Sequence, residues 1–479
     1  SFQVAHAADV APGLRAKAQQ AGSVDTLIIL SAQAPKQLLR PDGDYLERRR
    51  ALVGMLRATA DLSQSGLRHW LEANHIAYRS FWINNMIQAR LSAGQIDELA
   101  ARTDIARVAA NPVVRMQPPQ SESTPENTPS PDAPDPGAWG LNKINAPAVW
   151  ALGDTGQGIV IAGQDTGIRW THNALKPHYR GWNGTTADHN YNWHDSIHSG
   201  GGICGANTVA PCDDQGHGSH TVGTMLGEDA SGLDYGVAPG AKFIGCRNMN
   251  VGDGTPATYN ECAQWLLAPT DLAGNNPDPA KAPDIVSNSW GCPTTEGCTT
   301  GGSEVKAAID NLVAGGIFFV AAAGNGGSGC GGIISQPATL ESAFAVGSTE
   351  IGDTMSSFSL RGPVTGANRV KPDVVAPGGS IKSVSNGSDT ATATLSGTSM
   401  ATPHVAGAAA LIMAANPTLK GNPAAVADIL RATTVHISST QVCGGIPATT
   451  FPNPVQGYGR IDVLAAYMAV APIMKNGFD

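Results

Sequence analysis

No run of apolar residues in this chain approaches the roughly 18 needed to span a bilayer, so no membrane segment is expected. Charge is scarce: Asp, Glu, Lys and Arg make up 14% of the 479 residues. With 42% hydrophobic residues and 57 glycines, the chain fits a compact α/β enzyme rich in tight turns and not a disordered one. The net charge of −9 at pH 7 offers no support for nucleic-acid binding. Cysteine is absent until Cys204, and all eight cysteines follow from there. None stands in a paired Cys-x-x-Cys or His spacing, so a zinc site is not expected. The even number suits disulfides in an oxidising compartment. Cys204/Cys212 and Cys292/Cys298 lie close enough to clip surface loops, Cys246 on a strand could pair with Cys262 on the next helix, and Cys330 and Cys443 are left over; the sequence does not fix these pairings. The chain starts at Ser1 without Met, and Ala5-His6-Ala7 resembles the small-residue end of a secretory signal, so export to the extracellular space or periplasm is expected.

What charge there is lies unevenly. Residues 1–120 hold 14 Lys and Arg against 10 Asp and Glu, whereas the remainder holds 16 of the 30 basic residues and 29 of the 39 acidic ones. The two parts are of opposite sign, and docking of one on the other is expected to draw on that complementarity.

Residues 1–23 read as an export remnant and flexible N-terminus. Residues 24–116 read as a small domain of their own. Thr26 to Leu30 is strand-like. Between residues 46 and 74, Leu52, Met55, Leu56, Leu67, Trp70 and Leu71 recur at helical spacing. Two short strands follow near 77–82 and 86–91. Ser92 and Gln95 form a capping box that opens a second helix with Ile96, Leu99 and Ala100 on its inner face. Residues 107–114 close the domain as a strand. The order β-α-β-β-α-β predicts a ferredoxin-like sandwich. Residues 117–136 are rich in Pro, Ser, Thr and Glu and almost free of apolar side chains, so they read as an exposed, cleavable linker. From residue 137 to 479, strands near 159–164, 242–246, 284–288 and 317–323 alternate with helices near 258–267, 303–314 and 399–414. That alternation predicts a mainly parallel sheet with helices on both faces, whose strand ends Asp165, Ser289 and Asn325 line a ligand crevice.

The chemistry-bearing residues fall in four runs. Asp165 opens the run DTG at a strand end; His217 lies in GHGSHT; Asn325 follows AAAG; Ser399 lies in GTSMATPHVAG, where a loop feeds a helix. A serine at a helix start has backbone N–H groups and the positive helix end beside it, which favours negative charge there. The order Asp, His, Ser with these motifs resembles the subtilisin-like serine proteases. YGVAP at 235–239, NSWG at 288–291, KPD at 371–373 with APG at 376–378, and GYGRID at 457–462 also fit, so the resemblance spans most of 139–468. Within that family the string WGLNKINAPAVW and the insertion around HYRGWNG are most similar to bacillopeptidase F-like members.

The resemblance implies a secreted serine endopeptidase acting on proteins or peptides as a monomer, with no nucleic-acid or membrane partner. Ser399 would be the nucleophile, His217 the general base, Asp165 the group that orients it, and Asn325 an oxyanion donor beside the Ser399 N–H. Ser289, Trp290, Gly291, Ala323 and Gly324 would bind substrate as an added strand, and their small neutral character predicts an uncharged, bulky residue ahead of the scissile bond. Residues 24–116 would be an inhibitory, chaperone-like propeptide whose tail, Arg115 to Gln117, pairs in the cleft with Ser289, Trp290 and Gly291. No cofactor is required for catalysis. Structural calcium is common in the family, with acidic and Asn-rich loops such as 250–253 as candidates, although no EF-hand pattern is present. His220 and His404, inside the same motifs, read as structural, since one triad needs one base. The His- and Trp-rich stretch 170–198 reads as an insertion folded on the domain edge, not as a metal site. Two rival functions remain for the same sequence: a catalytically silent subtilase-like binding protein, against which the intact four residues argue, and an esterase, whose usual Gly-x-Ser-x-Gly elbow is missing at Ser399.

Overall fold

The computed structural model describes residues 8–38, 43–117, 120–121, 139–229, 235–298, 303–367 and 369–471. Residues 1–7, which carry the signal-like remnant, and nearly all of the linker lie outside them.

The N-terminal unit is an antiparallel sheet in the order Ile105–Ala110, Val24–Leu30, Met86–Leu91, Tyr78–Phe81, with Asp9–Val10 added parallel to the first. In chain order this is 4-1-3-2, the ferredoxin-like arrangement expected from the sequence. Ser92 caps the helix Ala93–Ala100 in a full capping box with Gln95, as its spacing predicted. Residues 9–21 depart from expectation. They are not a loose remnant: helix Leu14–Ala21 buries Leu14 and Ala18 in the domain core. Its eight residues contain only these few apolar contacts, too weak a periodic signal to stand out. The helical stretch read over 46–74 is divided into Tyr45–Ser63 and Ser65–Ala73. At the division the buried Gln64 amide turns inward to the Phe81 carbonyl and the Asn85 side chain.

The larger unit is built on seven parallel strands in the order Val374–Pro377, Phe344–Thr349, Phe318–Ala322, Ile285–Asn288, Val160–Asp165, Lys242–Arg247, Trp193–Asp195. Their near-continuous apolar runs reflect burial on both faces. Helices His217–Leu226 and Thr398–Ala415 pack together on one side. The latter is buried from Thr398 to Met413, which explains its lack of a polar stripe. Helices Pro256–Leu267 and Ser303–Ala314 cover the opposite face. The four disulfides are Cys204–Cys212, Cys246–Cys262, Cys292–Cys298 and Cys330–Cys443.

The two units share one apolar cluster. Leu52, Val53, Leu56, Ile83 and Val114 pack with Tyr259, Leu266, Leu267, Val305 and Ile309 of the helices on the outer face. Polar contacts frame it. Arg49 donates to the carbonyls of Gly315 and Pro279, and the Gln264 carbonyl accepts the N–H groups of Trp82 and Ile83. The charged contacts have the sign anticipated from composition, basic from the N-terminal unit and acidic from the larger one: Arg79 pairs with Glu261 at 2.6 Å, and Arg107 faces Glu304.

Candidate active site

Strand ends place the first residues. Asp165 ends Val160–Asp165, and Gln164 is in register with Asn288 of the next strand, so Ser289 emerges beside it. The helix bearing His217 approaches closely because Gly218 has no side chain: a Cβ there would lie 2.1 Å from the Gly167 carbonyl oxygen. Gly167 itself has φ 112°, a left-handed conformation that favours glycine. Asp213 then fixes the loop. Its carboxylate accepts the Thr166 hydroxyl, the N–H groups of Gln215, Gly216 and Ser219, and the Ser219 hydroxyl.

The outcome is a fully buried His217 whose Nδ1 lies 2.8 Å from Asp165 Oδ1. Burial alone would lower the imidazole pKa; the adjacent Asp165 charge and hydrogen bond outweigh it, and the pKa is raised. A carboxylate at Nδ1 puts the proton there and leaves Nε2 as the acceptor. That Nε2 is buried and has no partner. Ser399 heads the central helix. Pro403 has no N–H to give the Ser399 carbonyl, and that carbonyl instead accepts the Ser289 hydroxyl at 3.2 Å. In return Ser399 Oγ donates to the Ser289 carbonyl at 3.3 Å.

Asn325 is held by its carbonyl. Oδ1 accepts both the N–H and the hydroxyl of Thr398 at 2.9 Å, which fixes the amide orientation and leaves Nδ2 to face outward. A point at the Cβ position that Gly397 lacks is 3.5 Å from Asn325 Nδ2 and 3.6 Å from the Ser399 nitrogen. Two donors thus converge beside the Ser399 hydroxyl, the arrangement that stabilises an oxyanion. Thr398 was not singled out from sequence; its position directly before the serine was the available signal.

A cavity opens at these groups. Ser289, Trp290 and Gly291 form one wall, Ala322, Gly324, Asn325 and Gly326 the other, with Ser335 and Leu360 between. Ala323, expected at this wall, is fully buried behind it with Ile333, Ala338 and Ala345. Side chains alternate along an extended segment, so 322 and 324 face the cavity and 323 cannot.

The chain's own residues Arg115, Met116 and Gln117 also line this cavity. Their pairing differs from expectation. Val114–Arg115 adds antiparallel to Asp253–Gly254, and the Met116 N–H donates to the Gly252 carbonyl, so the strand-forming edge is 252–254 and not Ser289–Gly291. The 250–253 loop, considered for calcium, is a tight hairpin offering backbone to this tail. Beyond Ser399, Gln120–Ser121 pairs with Leu395–Ser396 on the strand leading into the serine.

The other histidines have structural partners. His220 Nε2 meets the carbonyls of Ile381 and Ala393, and burial pushes its pKa down to about 3. His404 Nδ1 bonds the Met400 carbonyl, and burial takes it down to about 4. In the 170–198 stretch, His172 bonds the Ala391 carbonyl and His189 the Tyr179 hydroxyl. Among the described residues no three His, Cys, Asp or Glu side chains are grouped to hold a metal ion, and no helix is long and apolar enough to cross a membrane.

Comparison with known proteins agrees with this geometry. Residues 156–459 match the model of the subtilase family, peptidase S8. Bacillopeptidase F of Bacillus subtilis (strain 168) is 34% identical over 462 residues, which is 91% of this chain and 30% of that relative's length. Subtilisin Savinase of Lederbergia lenta is 31% identical over 307 residues, 64% of this chain and 94% of its own. Subtilisin E of Bacillus subtilis (strain 168) is 31% identical over 303 residues, 63% of this chain and 67% of its own. The chain thus belongs to the subtilase family of subtilisin-like serine proteases.

Proposed function

We propose that Ser399, His217 and Asp165 act together to hydrolyse peptide bonds, and that the N-terminal unit holds the enzyme as a self-inhibited zymogen made for export. Ser399 leaves the Ser289 carbonyl and turns toward His217 Nε2. Its oxygen bonds to the substrate carbonyl carbon as its proton passes to Nε2. The oxyanion is taken by Asn325 Nδ2 and the Ser399 N–H. Collapse breaks the C–N bond, and the proton on Nε2 leaves with the amine. Water repeats the sequence on the acyl-enzyme, returning the hydroxyl to Ser399. Asp165 keeps the imidazole in one tautomer and stabilises its cation throughout. No step calls on a metal or cofactor.

One observation carries the zymogen reading: residues 114–117 and 120–121 pair with the enzyme on either side of Ser399, as a bound peptide would. Both residues between them, 118 and 119, are proline. A bond ahead of proline is a poor substrate, because the ring restricts φ and offers no N–H. The tail therefore occupies the cleft and resists being cut at the serine, and maturation proceeds farther along the linker. Substrates are extended peptides with an uncharged residue in the Gly- and Leu360-lined pocket.

Ser399→Ala tests the chemistry. By analogy with subtilisin, where loss of the nucleophile costs about 10⁶ in kcat, turnover should fall by a like factor while peptide binding persists. Turnover near wild type would overturn the assignment.

A further inference from the structure

The loop after Gly291 carries an acid with no role in the chemistry above. Residues 292–298 are joined end to end by Cys292–Cys298. The first two pair with Ser335–Gln336, tying the loop to the cavity floor. At its far end Gly297, with φ 103°, packs against Pro112 just ahead of the bound tail. Glu296 closes the turn Thr294–Glu296 and lines the cavity together with Arg115, Met116 and Gln117.

Glu296 Oε1 accepts the Arg115 N–H at 3.4 Å. Its Oε2 is buried with no hydrogen-bond partner, and among the described residues no cation pairs with it. A carboxylate in that state has lost water without recompense from its own domain. Its charge reaches the stacked pair Tyr259–Trp290 behind the tail: the Tyr259 hydroxyl, buried and also unpartnered, is held well above its usual pKa by burial first and by Glu296 second. The donors missing from this wall are ones that a peptide can bring.

We propose that Glu296 positions substrate and sets specificity three residues ahead of the scissile bond, by accepting the backbone N–H there and favouring Lys or Arg as the side chain. Gln117, the last tail residue in the cavity shared with Asn325 and Ser399, counts as the first residue ahead of that bond, so Arg115 is the third. The proposal rests on the reading of Ser399 as nucleophile, and goes beyond it to the substrate class.

Four peptides alike except at the third residue (Arg, Ala, Glu or N-methylalanine) test this on the full chain after its own processing. In wild type, Arg should exceed Ala by about fivefold in kcat/KM, chiefly through KM, as expected of an exposed ion pair. The preference should shrink in 0.5 M salt, whose screening length is only about 4 Å. N-methylation should cost about tenfold, the value of a hydrogen bond to a charged group. Glu296→Gln should erase the Arg preference yet keep the N-methyl penalty, and Glu296→Ala should lose both. An Arg to Ala ratio unchanged by Glu296→Gln overturns the proposal. If the wild type hydrolyses none of the peptides, the nucleophile assignment fails instead. Anisotropy titration of the same peptides into the Ser399→Ala chain, cut in its linker by an added protease, then decides the Glu296 question through the same Arg to Ala ratio in affinity.

Discussion

Acid should loosen the N-terminal unit from the enzyme, and the junction at Glu261 sets the direction and size of the effect. Arg79 of the N-terminal unit bonds Glu261 Oε2 at 2.6 Å, while His194 and His198 of the larger unit both reach Oε1 at 2.9 Å. Glu261 is pushed down to about 2: burial opposes its charge, but its bonds to His194 and His198 and the nearby cations outweigh burial. His198 has its pKa raised, first by the hydrogen bond to Glu261, while burial and the Arg79 charge pull the other way. Asp25 and Asp253 line the same interface cavity. The sign follows from Arg79. Its removal lets His198 bind its proton more tightly, so release of the N-terminal unit takes up protons and falling pH favours it. The transition lies above 6.5, since His198 is already raised in the complex, and affinity levels off once the imidazole is charged in both states. The effect on the larger unit's own stability runs opposite: the His198–Glu261 pair stabilises it below about 6.5 and is lost as pH rises through the raised pKa.

The size comes from two cations sharing one carboxylate. They stand about 5 Å apart and repel by about 1 kcal/mol in water-like surroundings, or roughly fivefold in affinity. Side-chain exposures of 34% for Arg79 and 32% for His198 justify that screened figure over a buried one. The assay uses protein cut in its linker with the N-terminal unit still bound. The inhibited fraction is read with a chromogenic peptide from pH 5.5 to 9, normalised at each pH to fully activated enzyme so that titration of His217 cancels. Affinity should drop about fivefold toward acid, and Arg79→Ala should flatten the curve. Tighter binding in acid, or a slope that survives Arg79→Ala, would refute the reasoning.

Three further outcomes are expected. Asn325→Ala should lower kcat by about 10²–10³, the cost of losing the corresponding donor in subtilisin, with KM little changed; steady-state kinetics on a peptide anilide decide it. Arg247 is fully buried between Asp195, Asp214 and the carbonyls of Gly201 and Gly205, so Arg247→Ala leaves unpaired charge inside and should cost about 3–5 kcal/mol. Urea unfolding in a Ser399→Ala background, free of self-digestion, measures that; a loss under 1 kcal/mol would contradict the packing. All eight cysteines are paired, so thiol titration of denatured, unreduced protein should find none free, and four or more would contradict the disulfide set.

What could be read from the sequence, and what could not, follows from where the information lies. Asp165, His217, Asn325 and Ser399 were legible because reactive side chains sat among the glycines and strand ends that place them. The capping box at Ser92 was legible because it is local. Ala323 was misplaced because the facing of a strand depends on its register, and a shift of one residue exchanges wall for core. The edge 252–254 was missed for a similar reason. A glycine-rich turn with an acid looks like an ion loop until a partner strand is set beside it. Thr398 as the clamp on Asn325 and Gln264 as the clip on Trp82 act across 73 and 182 residues of sequence, and neither position has a local pattern that announces a distant partner.

The most direct test of the central claim is covalent. A fluorophosphonate probe applied to processed protein, with the adduct mapped by mass spectrometry, should label Ser399 alone and abolish peptide hydrolysis in step with labelling. Labelling should vanish in Ser399→Ala and slow sharply in His217→Ala. Hydrolysis that continues after labelling is complete, or an adduct on any other serine, would contradict the account.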